Sequence, residues 1–522
     1  MRTKPLVAIS ADRTTIGMHP SHVAGEKYIA AIVDGSRALA MLLPAFGERQ
    51  SAQDVLATVD GLLFTGSYSN VEPTERKIMH DIDDFLKKHH VTEIEAIIPD
   101  MAGIARGKII PRSKFESGES MRLPQAVMIQ TVTGDYPDDG TLTGVTDPDM
   151  VCVPDATTIR MIPWAVDPTA QVIHDCVHFD GTPVAISPRR VLRRVLELYR
   201  AKGWKPVIAP ELEFYLVDMN KDPDLPLQPP IGRTGRPETG RQSYSIEAVN
   251  EFDPLFEDIY EYCEVQELEV DTLIHEVGAA QMEINFMHGD PLKLADSVFL
   301  FKRTVREAAL RHKMYATFMA KPMESEPGSA MHMHQSLVDE ETGRNLFTAA
   351  DGKPTSLFTS YIAGLQKYTP ALMPIFAPYI NSYRRLSRFM AAPINVAWGY
   401  DNRTVGFRIP HSGPAARRIE NRIPGVDCNP YLAIAATLAA GYLGITQRLE
   451  ATEPLLSDGY ELPYQLPRNL EEGLTLMSAC EPIAEVLGEK FVKAYLALKE
   501  TEYEAFFRVI SSWERRHLLL HV

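Results

Sequence analysis

Apolar residues recur along this chain in two rhythms. Alternation every second residue, and short apolar runs bounded by turn residues, read as strands; recurrence every three or four residues reads as helices. In residues 5–75, PLVAIS is strand-like, GEKYIAAIVDGSRALAM has a helical period, and DGLLFTGSYSN runs from a strand into a turn. TERKIMHDIDDFLKKHH then starts a new amphipathic helix, which puts a seam at about 73–78. From 91 to 185 short apolar strands alternate with turn clusters such as YPDDG and TDPD, the pattern of a small β-rich domain. SPRRVLRRVLELYRAKG (187–203) is a basic amphipathic helix, and the strand KPVIAPELEFYL follows it. Residues 220–245, dense in Pro, Gly and charge, form a long excursion. Beyond it, helices (SVFLFKRTVREAALRHK, LFTSYIAGLQKYTPAL, 429–445) alternate with strand-like runs (QMEINF, ATFMA, MHMHQSL, TVGFRIP).

Composition narrows the reading. At 522 residues two or three domains are expected, and 45% hydrophobic with 23% charged residues is the usage of a soluble globular protein. A formal net charge of -16 argues against nucleic acid or an anionic membrane as partner. No apolar run approaches the ~18 residues that cross a bilayer, and the N-terminal apolar stretch is too short for a signal peptide. The five cysteines, Cys152, Cys176, Cys263, Cys428 and Cys480, are scattered without CxxC spacing, which suits a reducing cytoplasm.

One strand changes the picture. In APELEFYLVD (209–218), Glu211 and Glu213 point one way, about 6 to 7 Å apart, while Leu212, Phe214 and Leu216 point the other. A solvated acidic face is the plain reading; a cation-holding face is the other. Three more segments set acids, histidines and arginines inside apolar runs, where an unpaired charge is costly: HEVGAAQMEINF (275–286), GSAMHMHQSL (328–337) and RRIENRIP (417–424). Glu211, Glu213, Glu276, Glu283 and Glu420 with His332 would supply five carboxylates and one imidazole, a hard-oxygen set suited to Mg²⁺ or Mn²⁺. Two such cations could bridge ATP phosphates, with Arg385, Arg403, Arg408 and Arg422 as fork donors for phosphate and carboxylate. There is no GxxxxGK[ST] loop, GxGxxG or HExxH to supply another scaffold.

The chain from about 76 to 522 resembles the glutamine synthetase family. The resemblance rests on DMAGIARGK near 100, the E-x-E strand, HEVGAAQME, KPM followed by GSAMHMHQS, NSYRRL, NRTVGFRIP and RRIENRIPGVDCNPYL, in family order over roughly 85% of the chain. It implies an α+β fold: a small β-grasp-like domain (76–185) and a large catalytic domain of antiparallel sheet and helices (186–522), preceded by a short α/β fragment (1–75). It implies that Glu213, Glu276 and Glu283 hold one metal ion and Glu211, His332 and Glu420 the other. It places Arg385 on the glutamate α-carboxylate, Arg422 near the γ-carboxylate, Arg403 and Arg408 on phosphates, His334 and Ser336 on the nucleotide, and the Gly328 backbone on glutamate. ATP, two Mg²⁺ or Mn²⁺ ions, L-glutamate and a homododecamer of two hexameric rings follow from the same resemblance. Tyr460, in GYELP, loosely resembles the adenylylated loop of bacterial members and is expected to be a plain surface tyrosine.

Two positions depart from the family pattern. Members that use ammonium set an Asp in a DGSS segment and a Glu on a flap after NSYxRL; here these align with Leu123 in MRLPQA and Ala391 in SRFMAAP. A desolvated ammonium ion without an anion is unfavourable, whereas a neutral pocket accepts the methylenes of an alkylamine. The expected reaction is therefore γ-glutamyl ligation of a primary amine, as in γ-glutamylpolyamine (γ-glutamylputrescine) synthetases of polyamine catabolism. Ordinary glutamine synthesis, with Glu326 or Asp401 supplying the missing acid, and ligation of ethanolamine or a monoalkylamine are the alternatives. VAISADR, GEKYIAAIVDGSRALAMLLPA and DGLLFTGSYSNVEP resemble the start of class I amidotransferase-like γ-glutamyl-γ-aminobutyrate hydrolases, yet G-x-C-x-G is absent and no Cys precedes Cys152, so this segment is expected to be silent.

Overall fold

The computed structural model describes residues 4–16, 19–24, 29–43, 52–63, 82–118, 120–138, 140, 142–238 and 241–522. They fall into two compact units that part between Phe85 and Leu86. In the first, β1 (Leu6–Ser10) is central to a parallel sheet, flanked by β4 (Leu39–Leu43) and β5 (Gly61–Leu63). β2 (Asp12–Ile16) and β3 (His19–Val23) pair antiparallel, and a small core gathers Ile9, Ile32 and Ala38. The expected helix over GEKYIAAIVDGSRALAM is cut short. Its described part ends at Ser36, Arg37 turns left-handed with φ 53°, and Leu39–Met41 pair with β1 instead. Tertiary pairing overrides the helical period there. The expected 73–78 seam lies outside the described residues, and residues 82–88 are helical.

The second unit holds two sheets. The smaller contains β6 (Glu93–Pro99), β7 (Ala105–Pro111), β8 (Met121–Pro124), β9 (Asp149–Pro154), β10 (Arg160–Met161) and β11 (Thr169–Val177). Its order is β7-β6-β11-β9-β8, with β10 on β11. Only β6 and β11 run parallel, and the antiparallel pairs flank them. The larger contains β12 (Trp204–Asp218), β13 (Val270–His275), β14 (Gln281–Phe286), β15 (Met314–Thr317), β16 (Met331–Asp339), β17 (Trp398–Tyr400), β18 (Phe407–Ile409) and β19 (Ile419–Asn421). Its order is β13-β14-β12-β16-β19-β18-β17, with β15 on β12. This is the α+β arrangement expected, although ATFMA is strand only at its first two residues, since β15 ends at Thr317.

The helices pack on the oily side of the large sheet. Leu212, Phe214 and Leu216 of β12 are fully buried in the same core as Val298, Phe301 and Val305 of the Pro291–Arg311 helix. That helix starts where it does because Asp290 accepts from the backbone N–H groups of Leu292 and Lys293 and Pro291 occupies the first turn. The Pro430–Thr446 helix, capped in the same way by Asn429, is apolar all round and buried almost throughout. It meets the Ser356–Phe376 helix at Gly364 and Gly444, where a Cβ on Gly364 would collide with the Ala440 carbonyl.

One buried arginine ties the small sheet to these helices. Arg189, at the start of the Pro188–Arg200 helix, bonds Asp175 of β11 at 2.7 Å, Asp155 at 2.9 Å and Asp296 of the Pro291–Arg311 helix at 2.8 Å. Tyr431 donates to the same Asp296 at 2.6 Å, bringing in the Pro430–Thr446 helix. Arg189→Met leaves buried Asp296 without its cation and Asp155 and Asp175 with Arg193 alone, and is expected to cost about 3–5 kcal/mol, read as a lower urea midpoint; an unchanged midpoint contradicts this role.

Candidate active site

Strand register builds the site. On β12, Glu211 stands opposite His332 of β16, and Glu213 opposite Glu283 of β14. His334 of β16 stands opposite Glu420 of β19, which stands opposite Arg408 of β18. Glu276 follows β13, its N–H bonded to the Gln281 carbonyl at 2.8 Å. Side-chain period two then delivers the acids of neighbouring strands to one face. Carboxylate oxygens of Glu213, Glu276 and Glu283 lie within 4.8 Å of one another; the same holds for Glu211, Glu283 and His332, and for Glu211, His334 and Glu420. His332 Nδ1 is 3.5 Å from Glu211 and 4.0 Å from Glu420.

The two halves differ in charge balance. Burial, then the Glu276 charge, raises the Glu213 carboxyl to about 8. Burial, then Glu211, Glu213 and Glu276, raises Glu283 to about 10, and burial likewise raises Glu276. Across the cleft burial is overcome. Bonds from His332 and His334 hold Glu211 well below the usual carboxylate range. Arg422 and then His332 bring Glu420 down to about 2 against its burial. Burial, then Arg422, lowers His332 to about 4, and its buried Nε2 has no hydrogen-bond partner among the described residues. Three crowded acids and an unpartnered imidazole nitrogen are a donor set that fits hard divalent cations.

Arginines line the other side. Arg408 bonds one oxygen of Glu420 at 2.6 Å and Arg422 pairs with the other. Arg422 Nε is buried and unpartnered among the described residues, a donor free for an anion. Arg385 is buried with its guanidinium on the carbonyls of Ile423 (2.7 Å) and Arg422 (2.9 Å). Gly328 lies against it so tightly that a Cβ would strike the Arg385 side chain and the Ala320 carbonyl. His334 and Ser336 line a cavity of about 580 Å³ with Glu211, Asn285, His288 and Arg418.

The remaining predicted residues differ in exposure and partners. Arg403 is exposed in the turn between β17 and β18. Asp401, offered as a replacement acid, is taken by Arg408 at 2.6 Å, and Glu326 accepts from the Ala279 N–H at 3.3 Å. Leu123 is buried in β8 of the small sheet, whereas Ala391 is exposed in the loop before β17 with φ 60°. Tyr460 is half-buried against Phe389, with ring centroids 5.3 Å apart.

Sequence reading missed three supports. Gln281 donates to the Gly328 carbonyl at 3.1 Å and to Glu213 at 3.4 Å. Arg418 donates to His334 Nδ1 at 3.2 Å. Glu238, from the 220–245 excursion, lies 2.8 Å from His275 Nε2, and His275 Nδ1 lies 2.6 Å from the Glu276 carbonyl. Gln281 and Arg418 stand within two residues of Glu283 and Glu420, which was the available signal; Glu238 was hidden in loop composition.

A small β-grasp-like sheet, a larger sheet antiparallel except where β17 joins β18, and a cleft walled by acids on one side and arginines on the other define an ATP-dependent carbon–nitrogen ligase of the kind that works with divalent metals. Residues 185–518 match the family described as glutamine synthetase, catalytic domain, and the chain belongs to the glutamine synthetase family. It is 34% identical over 449 residues to γ-glutamylputrescine synthetase of Escherichia coli (strain K12), covering 84% of this chain and 94% of that one. It is 32% identical over 455 residues to glutamate–isopropylamine ligase of Pseudomonas sp, covering 85% and 98%. A solved GmaS/ADP complex is similar with TM-score 0.71 and 26% identity, over 84% of this chain and 98% of that one. Residues 5–98 match the Peptidase C26 family, in keeping with the amidotransferase-like resemblance, and the match runs on into β6. No helix among the described residues is long and apolar enough to cross a membrane.

Glu213 and Glu283 keep protons in the fold where an unfolded chain, at about 4.3, has lost them. Without cations the fold therefore loses stability as pH rises from there toward about 8 and 10. In chelator the melting temperature is expected to fall as pH rises, and Glu283→Gln to flatten the fall. Mg²⁺ or Mn²⁺ should raise the melting temperature of the wild type and not of the variant. A variant with the wild-type slope contradicts the crowding.

Proposed function

We propose that this chain joins L-glutamate to a primary amine, putrescine or another polyamine, through γ-glutamyl phosphate, within polyamine catabolism and nitrogen assimilation. The reading rests on one contrast: every carboxylate of the cluster belongs to the cation-holding face, while the flap position where an ammonium-using relative carries Glu is Ala391. A berth without an anion disfavours ammonium and admits methylenes.

Glu213, Glu276 and Glu283 would hold one Mg²⁺ or Mn²⁺, and Glu211, His332 and Glu420 the other, with His334 close enough to serve either the second ion or the nucleotide. Bound there, the ions neutralise charge on the transferred phosphoryl group. His334 and Ser336, in their cavity, take the nucleotide, and Arg408 with Arg403 the phosphates. Arg385 and the Gly328 backbone hold glutamate, and the free Nε of Arg422 meets the γ-carboxylate. A γ-carboxylate oxygen attacks the terminal phosphorus of ATP and ADP leaves. The neutral amine then attacks the acyl carbon, phosphate departs, and the nitrogen gives up one proton. A bare carboxylate is too poor an electrophile for the amine to displace oxygen directly.

The same reading makes the protein a cytoplasmic dodecamer of two hexameric rings, with active sites between the small β domain of one subunit and the catalytic domain of its neighbour. Residues 1–75 are then a silent hydrolase-like remnant, since no Cys precedes Cys152.

ADP release with glutamate plus ammonium, ethanolamine, putrescine, cadaverine or spermidine tests the reading. Putrescine is expected to exceed ammonium at equal concentration; ammonium exceeding putrescine makes the chain an ordinary glutamine synthetase. Ala391→Glu restores an anion to the flap and is expected to shift the ammonium-to-putrescine ratio of kcat/KM upward about tenfold, equivalent to ~1.4 kcal/mol. An unmoved ratio contradicts the role of that position.

A further inference from the structure

The loop between the Ile380–Arg385 helix and β17 carries two non-glycine residues in left-handed backbone, Phe389 at φ 63° and Ala391 at φ 60°. Bulky residues hold that conformation only where their surroundings impose it, and such outliers gather at functional sites. Phe389 is also 74% exposed, an apolar ring left open on a strained loop. Its one aromatic neighbour among the described residues is Tyr460, tilted against it at 52°.

Tyr460 is fixed from several sides. Asp458 accepts its N–H at 2.9 Å, Gly459 donates to Thr404 Oγ1 at 2.7 Å, and Arg388 of the flap donates to the Leu462 carbonyl at 2.9 Å. Gly459 packs so close to the Thr404 carbonyl that no Cβ fits between them. A short relay then leads to the substrate arginines. Asn395 donates to the Gly459 carbonyl at 3.1 Å and accepts from Gly406 at 3.3 Å, and the Gly406 carbonyl accepts the Arg422 N–H at 3.0 Å. The Tyr460 turn is thus one side chain and one residue away from Arg422. Burial raises the Tyr460 phenol, and the positive charges of Arg422 and Arg385 act against that rise.

We infer that Phe389 and Tyr460 form the aromatic wall along which the carbon chain of the amine substrate lies, and that they set the enzyme's preference for organic amines over ammonium. This deepens the proposed γ-glutamyl-amine ligase reading and rests on it. The physical case is that flat aromatic faces beside a neutral flap remove methylenes from water without requiring an acid. They also receive the far ammonium of a diamine by cation–π contact. Ammonium has no methylenes to bury and only one nitrogen, so it cannot rest a charge on the rings and present its reacting nitrogen to the acyl carbon at once.

The test is steady-state ADP release by the full-length protein with putrescine, butylamine and ammonium, comparing wild type with Phe389→Ala, Tyr460→Ala and Tyr460→Phe. Both alanine variants are expected to raise KM for putrescine and butylamine about tenfold, with KM for glutamate and ATP changed less than twofold. Tyr460→Phe should restore the amine KM, because the ring face and not the hydroxyl is used. If the wild type ligates alkylamines and the alanine variants keep their amine KM, the wall is overturned and the ligase reading stands. A rise in glutamate KM equal to that for amine also overturns it, because the rings then bound the glutamate site. If the wild type turns over ammonium alone, both readings fall.

Discussion

Carboxylates crowded face to face on adjacent strands are the constraint around which this molecule is organised. Backbone pairing leaves no freedom to spread them: once β12 sits between β14 and β16 in its observed register, Glu213 must meet Glu283 and Glu211 must meet His332. A slip of one residue would turn the acids into the helices and bring Leu212 and Phe214 to the cleft. The fully buried apolar side of β12 therefore holds the acids in place, at a cost in repulsion that the core must absorb. Stability is given up at the centre to keep these acids together.

The two halves of the cleft meet that repulsion differently. Around Glu420 the protein supplies its own positive charge through Arg408 and Arg422. Around Glu213, Glu276 and Glu283 it supplies little; the Glu213 and Glu283 carboxyls are raised to about 8 and about 10, and Glu276 is raised as well. Arg189 does comparable work away from the cleft, with three aspartates gathered on a charge that never leaves, so the small sheet and the helices share one anchor.

Much of this was legible in the order of residues. The E-x-E strand, the paired histidines of β16 and the Glu-x-Arg of β19 each carry period two, and period two survives folding because pairing does not alter which face a residue takes. Long helices with a cap and an early proline, such as Pro291–Arg311, were equally plain. What stayed hidden depended on distance in sequence. GEKYIAAIVDGSRALAM has a helical period throughout, yet its last residues join a sheet through pairing with β1. Arg403 sits in a run that reads as one unit with Arg408, but a turn takes it to the surface. Glu238 reaches β13 from a stretch whose composition reports only irregular backbone, and Tyr460 reaches Phe389 across seventy residues.

The contact of Glu238 with His275, and through it with the carbonyl of Glu276, changes how the whole 220–245 excursion must be regarded. Surface connections ordinarily drift in length between related proteins, since nothing inside depends on their spacing. Here the stretch toward Asp222 and Leu225 is free to drift in that way, and Pro237 and residues 241–244 are exposed as well, but Glu238 itself is buried and answers to a strand end rather than to solvent. Among descendants of this gene, length should vary on either side of Glu238 while that position keeps its acid, a single pinned point in an otherwise drifting loop.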